Sequence, residues 1–399
     1  MTDAPLIAEL KAFEPELTDI RRDLHRHPEV GFTETRTAGI VAERLRGWGL
    51  QVTEGIARTG VVATLTGNRP GQRAIGLRAD LDALHITEVA GRAHGSTIAG
   101  KMHACGHDGH TAMLLGAARY LAEHPDFGGT VSFIFQPAEE GLGGGREMVE
   151  EGLFDRFPVD AVYGMHNMPG IPVGEFRTRT GPFMAASDAW KVTFRGTGGH
   201  GGAGVHLATD ATLSVAHFIL ALQTIVSRNV PATDTAVVSV GSIEGGDPGS
   251  PNIIPSQVVL TGTARSYSPR IRDLMERRLG ELAQAQAASF GCTADVVYDR
   301  RYPPLVTHAE QTAVSVKAAA ALVGAEHVDP DVRPVMGSED FSYMLEQRPG
   351  GFIFIGNGVG ADGAYHMVHT PEYDFNDEIL SLGAAYWVQL VRAELGAGS

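Results

Sequence analysis

Apolar and polar positions follow two periods along this chain, and the switches between them divide it. Spacing of three and four residues predicts helices over Glu14–His27 and Thr33–Trp48, the second with Thr33 as its N-cap. Alternation predicts strands at Val61–Thr66 and Ala74–Leu81. Helical spacing returns over Thr111–Glu123, followed by strand Thr130–Gln136, helix Gly145–Glu151 and strand Ala161–His166. Strands alternating with helices predict an α/β domain, a sheet flanked by helices. Ligands in such sheets collect at the carboxyl ends of strands. Asp80-Leu81-Asp82, Gln136–Glu140 and Met165-His166 all fall at predicted ends.

A second unit begins near Ala185. Strands Trp190–Phe194, Ala236–Val240, Val258–Thr263 and Thr293–Tyr298 are interleaved with long helices Asp210–Ser227 and Pro269–Ser289. Two helices over one face of a small antiparallel sheet make an inserted α+β domain. The pattern then returns to the first domain through helix Gln311–Val323, helix Glu339–Glu346, strand Phe352–Ile355 and helix Asn376–Leu395. The expected division is 1–184 and 300–399 for a discontinuous catalytic domain and 185–299 for the insertion. Glycines near Gly181 and the stretch Asp299–Pro304 would serve as hinges between them.

Length agrees with two domains, since 399 residues exceed one compact core. Apolar content of 43% and charged content of 20% are ordinary for a globular chain. A net charge of −15 disfavours nucleic acid and anionic membranes as partners. No apolar run approaches a membrane span of about 20 residues. The opening MTDAPLIAEL lacks a basic-then-apolar signal pattern, so a cytoplasmic location is expected. Two cysteines, Cys105 and Cys292, make no disulfide framework.

Chemistry concentrates in a few places. Glu139 and Glu140 end the apolar run Val131–Phe135, and two adjacent carboxylates can divide metal binding and proton transfer between them. Cys105 and His107 alternate, so an extended backbone would point both to one side, and thiolate with imidazole suits late divalent metals. With Asp80, Asp82, Glu140, His166 and His369 they amount to a metal site. Asp80 and Asp82 would either ligate or hold a ligating histidine by its other ring nitrogen, and the holding role is preferred for Asp82. Most of the sixteen histidines must be bland. His103 and His110 are left as supporting or merely polar groups, and His85, His206, His217 and His308 as structural or surface residues.

These segments resemble the M20 metallopeptidase family, in its amidohydrolase branch of hippurate hydrolases, N-acyl-amino-acid amidohydrolases and auxin-conjugate hydrolases. The resemblance is carried by DLHRHPEVGFTETRTA (23–38), LRADLDAL (77–84), MHACGHDGHTAMLLGAA (102–118), FIFQPAEEG (133–141), GMHNMPGIPVG (164–174), GGHGG (198–202), PNIIP (251–255), GSEDFSYM (337–344) and HTPEYDFND (369–377), in family order. It implies a catalytic domain like that of binuclear metal aminopeptidases, with a lid and dimerisation domain inserted. It implies two divalent ions (Zn²⁺, Mn²⁺, Co²⁺ or Ni²⁺), with Cys105 between them, His107 and His166 on one, and Glu140 and His369 on the other. Glu139 would then be the general base. His200 would stabilise the oxyanion across the interface of a homodimer or larger oligomer. Asn252 and Arg265 would grip the substrate carboxylate, for which an arginine fork is suited.

The activity so implied is hydrolysis of a small-molecule N-acyl amino acid to a carboxylate and a free amino acid. A dipeptidase or N-acetyl-diaminopimelate deacetylase of the same family is the nearer rival, and a silent binding protein or a closed structural zinc site the remoter ones. Two departures bear on substrate choice. His85 stands where this branch more often has proline, and Gly202–Leu207 reads GAGVHL.

Overall fold

The computed structural model describes residues 4–359 and 363–396. By compactness the chain divides into one unit of Met1–Gly181, Val306–Arg333 and Asp340–Ser399, and another of Pro182–Leu305 with Pro334–Glu339. The insertion therefore runs a few residues beyond 185–299 at each end and takes in a short piece of the returning segment.

The first unit is built on an eight-stranded mixed sheet. Its order is Gln51–Ile56, Gly60–Thr66, Gly128–Gln136, Arg69–Asp80, Ala161–Pro169, Gly350–Gly358, Phe176–Arg177 and Val328–Asp329. The strands Gly128–Gln136, Arg69–Asp80, Ala161–Pro169 and Gly350–Gly358 run parallel. The period-two rule of a pleated strand explains which residues enter the core. Ile75, Leu77 and Ala79, Val131, Phe133 and Phe135, and Tyr163 and Met165 all point into one hydrophobic cluster. Helices Glu14–Arg26, His107–Glu123, Ala309–Val323 and Leu380–Leu395 supply the other side of that cluster.

Register fixes the working edge. Asp80 pairs with Gln136, and His166 with Phe354, so the ends of four parallel strands and the loops that leave them share one side of the sheet. Several boundaries differ from expectation. Thr33 does not cap a helix; its hydroxyl donates to the Val30 carbonyl at 2.6 Å, and the helix runs Thr35–Gly47. Glu34, next in line, sends its carboxylate away to Thr59 and the Ala138 N–H. The expected helix Glu339–Glu346 starts later, at Ser342.

The second unit has a four-stranded antiparallel sheet in the order Ala236–Gly245, Gln257–Ser266, Ala186–Arg195 and Thr293–Arg300. Helices Ala211–Thr224 and Pro269–Ser289 bury Phe218, Leu222, Met275 and Leu279 against it. A small ribbon pairs His200 with Ile253. The helical stretch Ala211–Asn229 corrects one expectation, because by length and composition alone it would suffice to cross a membrane. Here its Phe218 and Leu222 are buried in this unit's core, while Leu213 and Leu220 are exposed.

Candidate metal centre

Cys105 and His107 meet by a turn, not by the alternation of an extended strand. Gly106 between them sits at φ +91°, and His107 opens the helix His107–Glu123. A side chain at Gly106 would start 2.3 Å from the Asn167 amide nitrogen and 2.4 Å from the Tyr373 hydroxyl, so glycine is required twice over. His166 lies inside its strand, which continues to Pro169 rather than ending at His166 as expected. Glu139 and Glu140 follow Ala138, which is held at φ +52° while its N–H donates to Glu34 Oε1 at 2.8 Å. His369 also has left-handed backbone, at φ +66°, and its N–H donates to the Ala104 carbonyl at 2.7 Å.

These side chains converge. The Sγ of Cys105 lies 3.3 Å from His166 Nε2 and 3.3 Å from His369 Nε2. Glu140 Oε1 is 3.2 Å from His369 Nε2 and 4.0 Å from His107 Nε2. Several groupings of donor atoms lie within 4.8 Å, among them His107 with Glu139 and Glu140, and two of them contain Cys105: Cys105 with His107 and His166, and Cys105 with Glu140 and His369. These last two share the sulfur. A tetrahedral ion with bonds of about 2.3 Å to sulfur and about 2.0 Å to nitrogen sets those two ligands roughly 3.5 Å apart, close to what is found. Among the described residues the buried His107 Nε2 and Glu140 Oε1 have no hydrogen-bond partner, as the inward-facing atoms of a cation site should.

The other ring nitrogens are already used. His107 Nδ1 faces the Asp82 carbonyl at 2.9 Å and Asp82 Oδ1 at 3.2 Å, so Nδ1 carries the proton and Nε2 is left for an ion. His166 Nδ1 faces the Asn167 carbonyl at 2.5 Å. Asp82 does more than hold a histidine. Its two oxygens also accept the backbone N–H groups of Glu139, at 3.0 Å, and Glu140, at 2.9 Å. Asp80 is committed elsewhere, with Oδ1 2.7 Å from His110 Nδ1 and Oδ2 2.7 Å from Arg78.

Charge follows the same plan. Burial opposes ionisation of Asp80, but His107, His110 and Arg78 override it and hold the carboxylate well below its usual range. Burial also presses on the His107 imidazolium, yet Asp80, Asp82 and Glu140 hold its pKa up at about 10. The surroundings of His107 thus call for a positive charge. His166 is pushed well down, by burial first and then by His110, which keeps it neutral and ready to ligate. Glu139 is buried, and its Oε1 accepts the Asp340 N–H at 3.3 Å.

The remaining histidines sort by their surroundings. His110 supports Asp80 and accepts the Asn167 N–H at 2.9 Å. His103 is fully buried, both ring nitrogens lack partners among the described residues, and burial pushes it down to about 4. His85, His206, His217 and His308 are exposed. His200, Asn252 and Arg265 belong to the second unit. His200 Nδ1 accepts the N–H groups of Gly202 and Ala203 at 3.0 and 3.1 Å, which puts the ring proton on Nε2. Asn252 sits across the same ribbon, its carbonyl taking the Gly201 N–H at 2.7 Å. Arg265 lies on the main sheet of that unit and donates to Thr263 and the Ala264 carbonyl. Sequence reasoning assigned no role to Glu34, Asn167 or Asp340, although Asn167 and Asp340 fall inside the motifs MHNMPG and GSEDF.

Comparison with known proteins places these features in context. The sequence profile of Peptidase family M20/M25/M40 matches residues 76–393. Hippurate hydrolase of Campylobacter jejuni is 38% identical over 386 residues, covering 96% of this chain and 98% of that protein. N-acetyl-L-cysteine deacetylase of Bacillus subtilis is 40% identical over 380 residues, 95% of this chain and 88% of that one. The crystal structure of the YXEP protein of Bacillus subtilis, described as a dinuclear metal binding peptidase from the M20 family, superposes with a TM-score of 0.82. It is 31% identical and covers 96% of this chain and 98% of that one.

Proposed function

The chain belongs to Peptidase family M20/M25/M40, and from that premise we propose that it is a metal-dependent amidohydrolase that splits N-acyl amino acids into a carboxylate and a free amino acid. The observation that carries the reading is the pair of donor sets sharing one sulfur, with a carboxylate beside them that neither set uses. Relatives named hippurate hydrolase and N-acetyl-L-cysteine deacetylase support the substrate class, since both names denote N-acylated amino acids.

In this reading Cys105, His107 and His166 would hold one divalent ion, and Cys105, Glu140 and His369 a second, drawn from Zn²⁺, Mn²⁺, Co²⁺ and Ni²⁺. Such ions, when bound, would make a water molecule more acidic and polarise the amide carbonyl. Glu139 takes the water proton and delivers it to the leaving nitrogen. Base and ligand need separate carboxylates, because a carboxylate bound to a metal carries protons poorly. Asp82 keeps the two apart by gripping both backbone N–H groups, and the Asp340 N–H holds Glu139 by Oε1.

His200, with its proton on Nε2, is suited to donate to the developing oxyanion. Asn252 and Arg265 are assigned to the substrate carboxylate. A homodimer formed through the second unit is part of the same reading.

The test is amine release from a panel of N-acetyl, N-benzoyl and other N-acyl amino acids, with dipeptides beside them, using the metal-loaded chain and Glu139→Gln. Cleavage of acyl amino acids by the wild type alone supports the reading. Cleavage confined to dipeptides overturns the substrate class, and equal rates in both proteins overturn the role of Glu139.

A further inference from the structure

Helix Glu14–Arg26 carries two buried side chains one turn apart, Arg21 and His25, and neither belongs to the donor sets. Arg21 donates to Asp374 Oδ1 at 3.0 Å and to the Phe375 carbonyl at 2.6 Å, and its Nε lies 2.8 Å from Asp377 Oδ1. His25 Nδ1 lies 2.8 Å from Asp108 Oδ2, and its Nε2 lies 3.1 Å from Glu88 Oε1. Asp108 follows His107 directly, and Asp374 comes five residues after His369. A single helix face therefore grips both the segment that carries His107 and the segment that follows His369. Arg92 strengthens the second grip, donating to the carbonyls of Tyr373, at 2.6 Å, and Glu372, and to Glu88 at 2.9 Å.

Stability alone is a poor reason for this arrangement. Burying a guanidinium and several carboxylates costs desolvation that their attraction barely repays, and apolar residues of similar volume often do as well. What such a network provides is fixed geometry. Four residues along a helix span about 6 Å, and that spacing is rigid. Arg21 and His25 thus hold Asp108 and the 374–377 segment at a set separation.

The two ends of the clamp are not equally secure. His107 opens a helix of 17 residues and is braced by Asp82. His369 is half-exposed on left-handed backbone. Slack introduced by loosening the clamp should fall on His369.

We infer that Arg21 and His25 are positioning residues for the metal centre, and that Arg21 chiefly sets the affinity for the ion held by Cys105, Glu140 and His369. The inference rests on the two-ion reading above. It is tested by stripping the full chain of metal and titrating it with Co²⁺ alone, by calorimetry and by the cobalt absorption spectrum. The proteins compared are wild type, Arg21→Met, Arg21→Lys and His25→Gln.

Wild type is expected to bind two ions. Arg21→Met should lose roughly 10- to 100-fold in affinity for one ion and keep the other, with Arg21→Lys recovering part of the loss. His25→Gln should weaken binding without abolishing either ion. Equal affinities in all four proteins overturn the inference. So does a loss shared evenly by both ions and matched by a lower melting temperature of the metal-free chain, since that marks a merely structural role. If Arg21→Met does not fold, Asp374→Ala removes one of the Arg21 partners from its partly exposed side and must show a smaller loss confined to the same ion. A wild type that takes up no second ion defeats the two-ion reading itself, and the inference with it.

Discussion

His107 Nε2 and Glu140 Oε1 stand 4.0 Å apart, both buried and both without a hydrogen-bond partner among the described residues. Leaving a buried polar atom unsatisfied costs about 1–3 kcal/mol. Two such atoms facing one gap, beside a thiol 3.3 Å from two further imidazole nitrogens, make sense as ligands with a cation among them. That relationship generates the first expectation.

In the metal-free chain His107 keeps its proton, because Asp80, Asp82 and Glu140 outweigh burial and hold its pKa at about 10. An ion must displace that proton. Metal uptake at pH 7.5 should therefore release about one proton from this residue, and apparent affinity should climb as pH rises toward 10. Calorimetry in buffers of differing ionisation heat measures the release; a heat independent of buffer would sink the idea. The sign for metal-free stability is opposite. A raised histidine pKa contributes stability that is complete below about 6.5 and lost as pH rises through about 10.

Asp82 braces His107 and both glutamate N–H groups with a single carboxylate. Asp82→Asn keeps the shape but replaces one acceptor oxygen by a donor. Metal affinity should fall about 10- to 100-fold. Activity should remain depressed even when metal is saturating, because the backbone that orients Glu139 loses its anchor as well. Full recovery of kcat at high metal would show that Asp82 serves only the histidine.

Glu139 and Glu140 are adjacent, yet their variants should fail differently. Glu139→Gln should bind metal normally and lose about 10²–10⁴-fold in kcat. Glu140→Gln should lose an ion, which elemental analysis of the dialysed protein detects. Identical metal content and identical kinetics for the two variants would remove the proposed division between base and ligand.

How much of this the sequence reveals depends on range. The strand ends at Asp80 and Gln136 are legible because alternating apolar residues mark the strands, and parallel strands deliver their ends to one edge; the strand expected to stop at His166 runs on to Pro169. The cluster near Cys105 is legible from residue type. Its geometry is not, because period-two reasoning assumes an extended backbone and Gly106 turns it instead. The left-handed conformations of Ala138 and His369 leave no local signal either, since surrounding hydrogen bonds impose them. Arg21 meets Asp374 across 353 residues, a pairing that only the folded helix packing creates.

Two glycines on helices offer a last expectation, with opposite signs. In an open helix interior, Gly→Ala stabilises by about 1 kcal/mol, because alanine loses less backbone freedom on folding. Gly280, on helix Pro269–Ser289, has nothing within 4 Å of an added methyl, so Gly280→Ala should raise stability by about that amount. Gly109, in the first turn of helix His107–Glu123, has the Phe375 ring 2.1–2.4 Å from an added methyl. That ring belongs to the segment Arg21 grips and is itself buried, so it has little room to retreat. Gly109→Ala should therefore destabilise by about 1–3 kcal/mol despite its better helix propensity. It should also weaken metal binding, which Gly280→Ala should leave alone. Thermal melts with and without metal separate the cases. If Gly109→Ala proved stabilising and metal-neutral, the helix carrying His107 and the segment following His369 would not be in the tight register described.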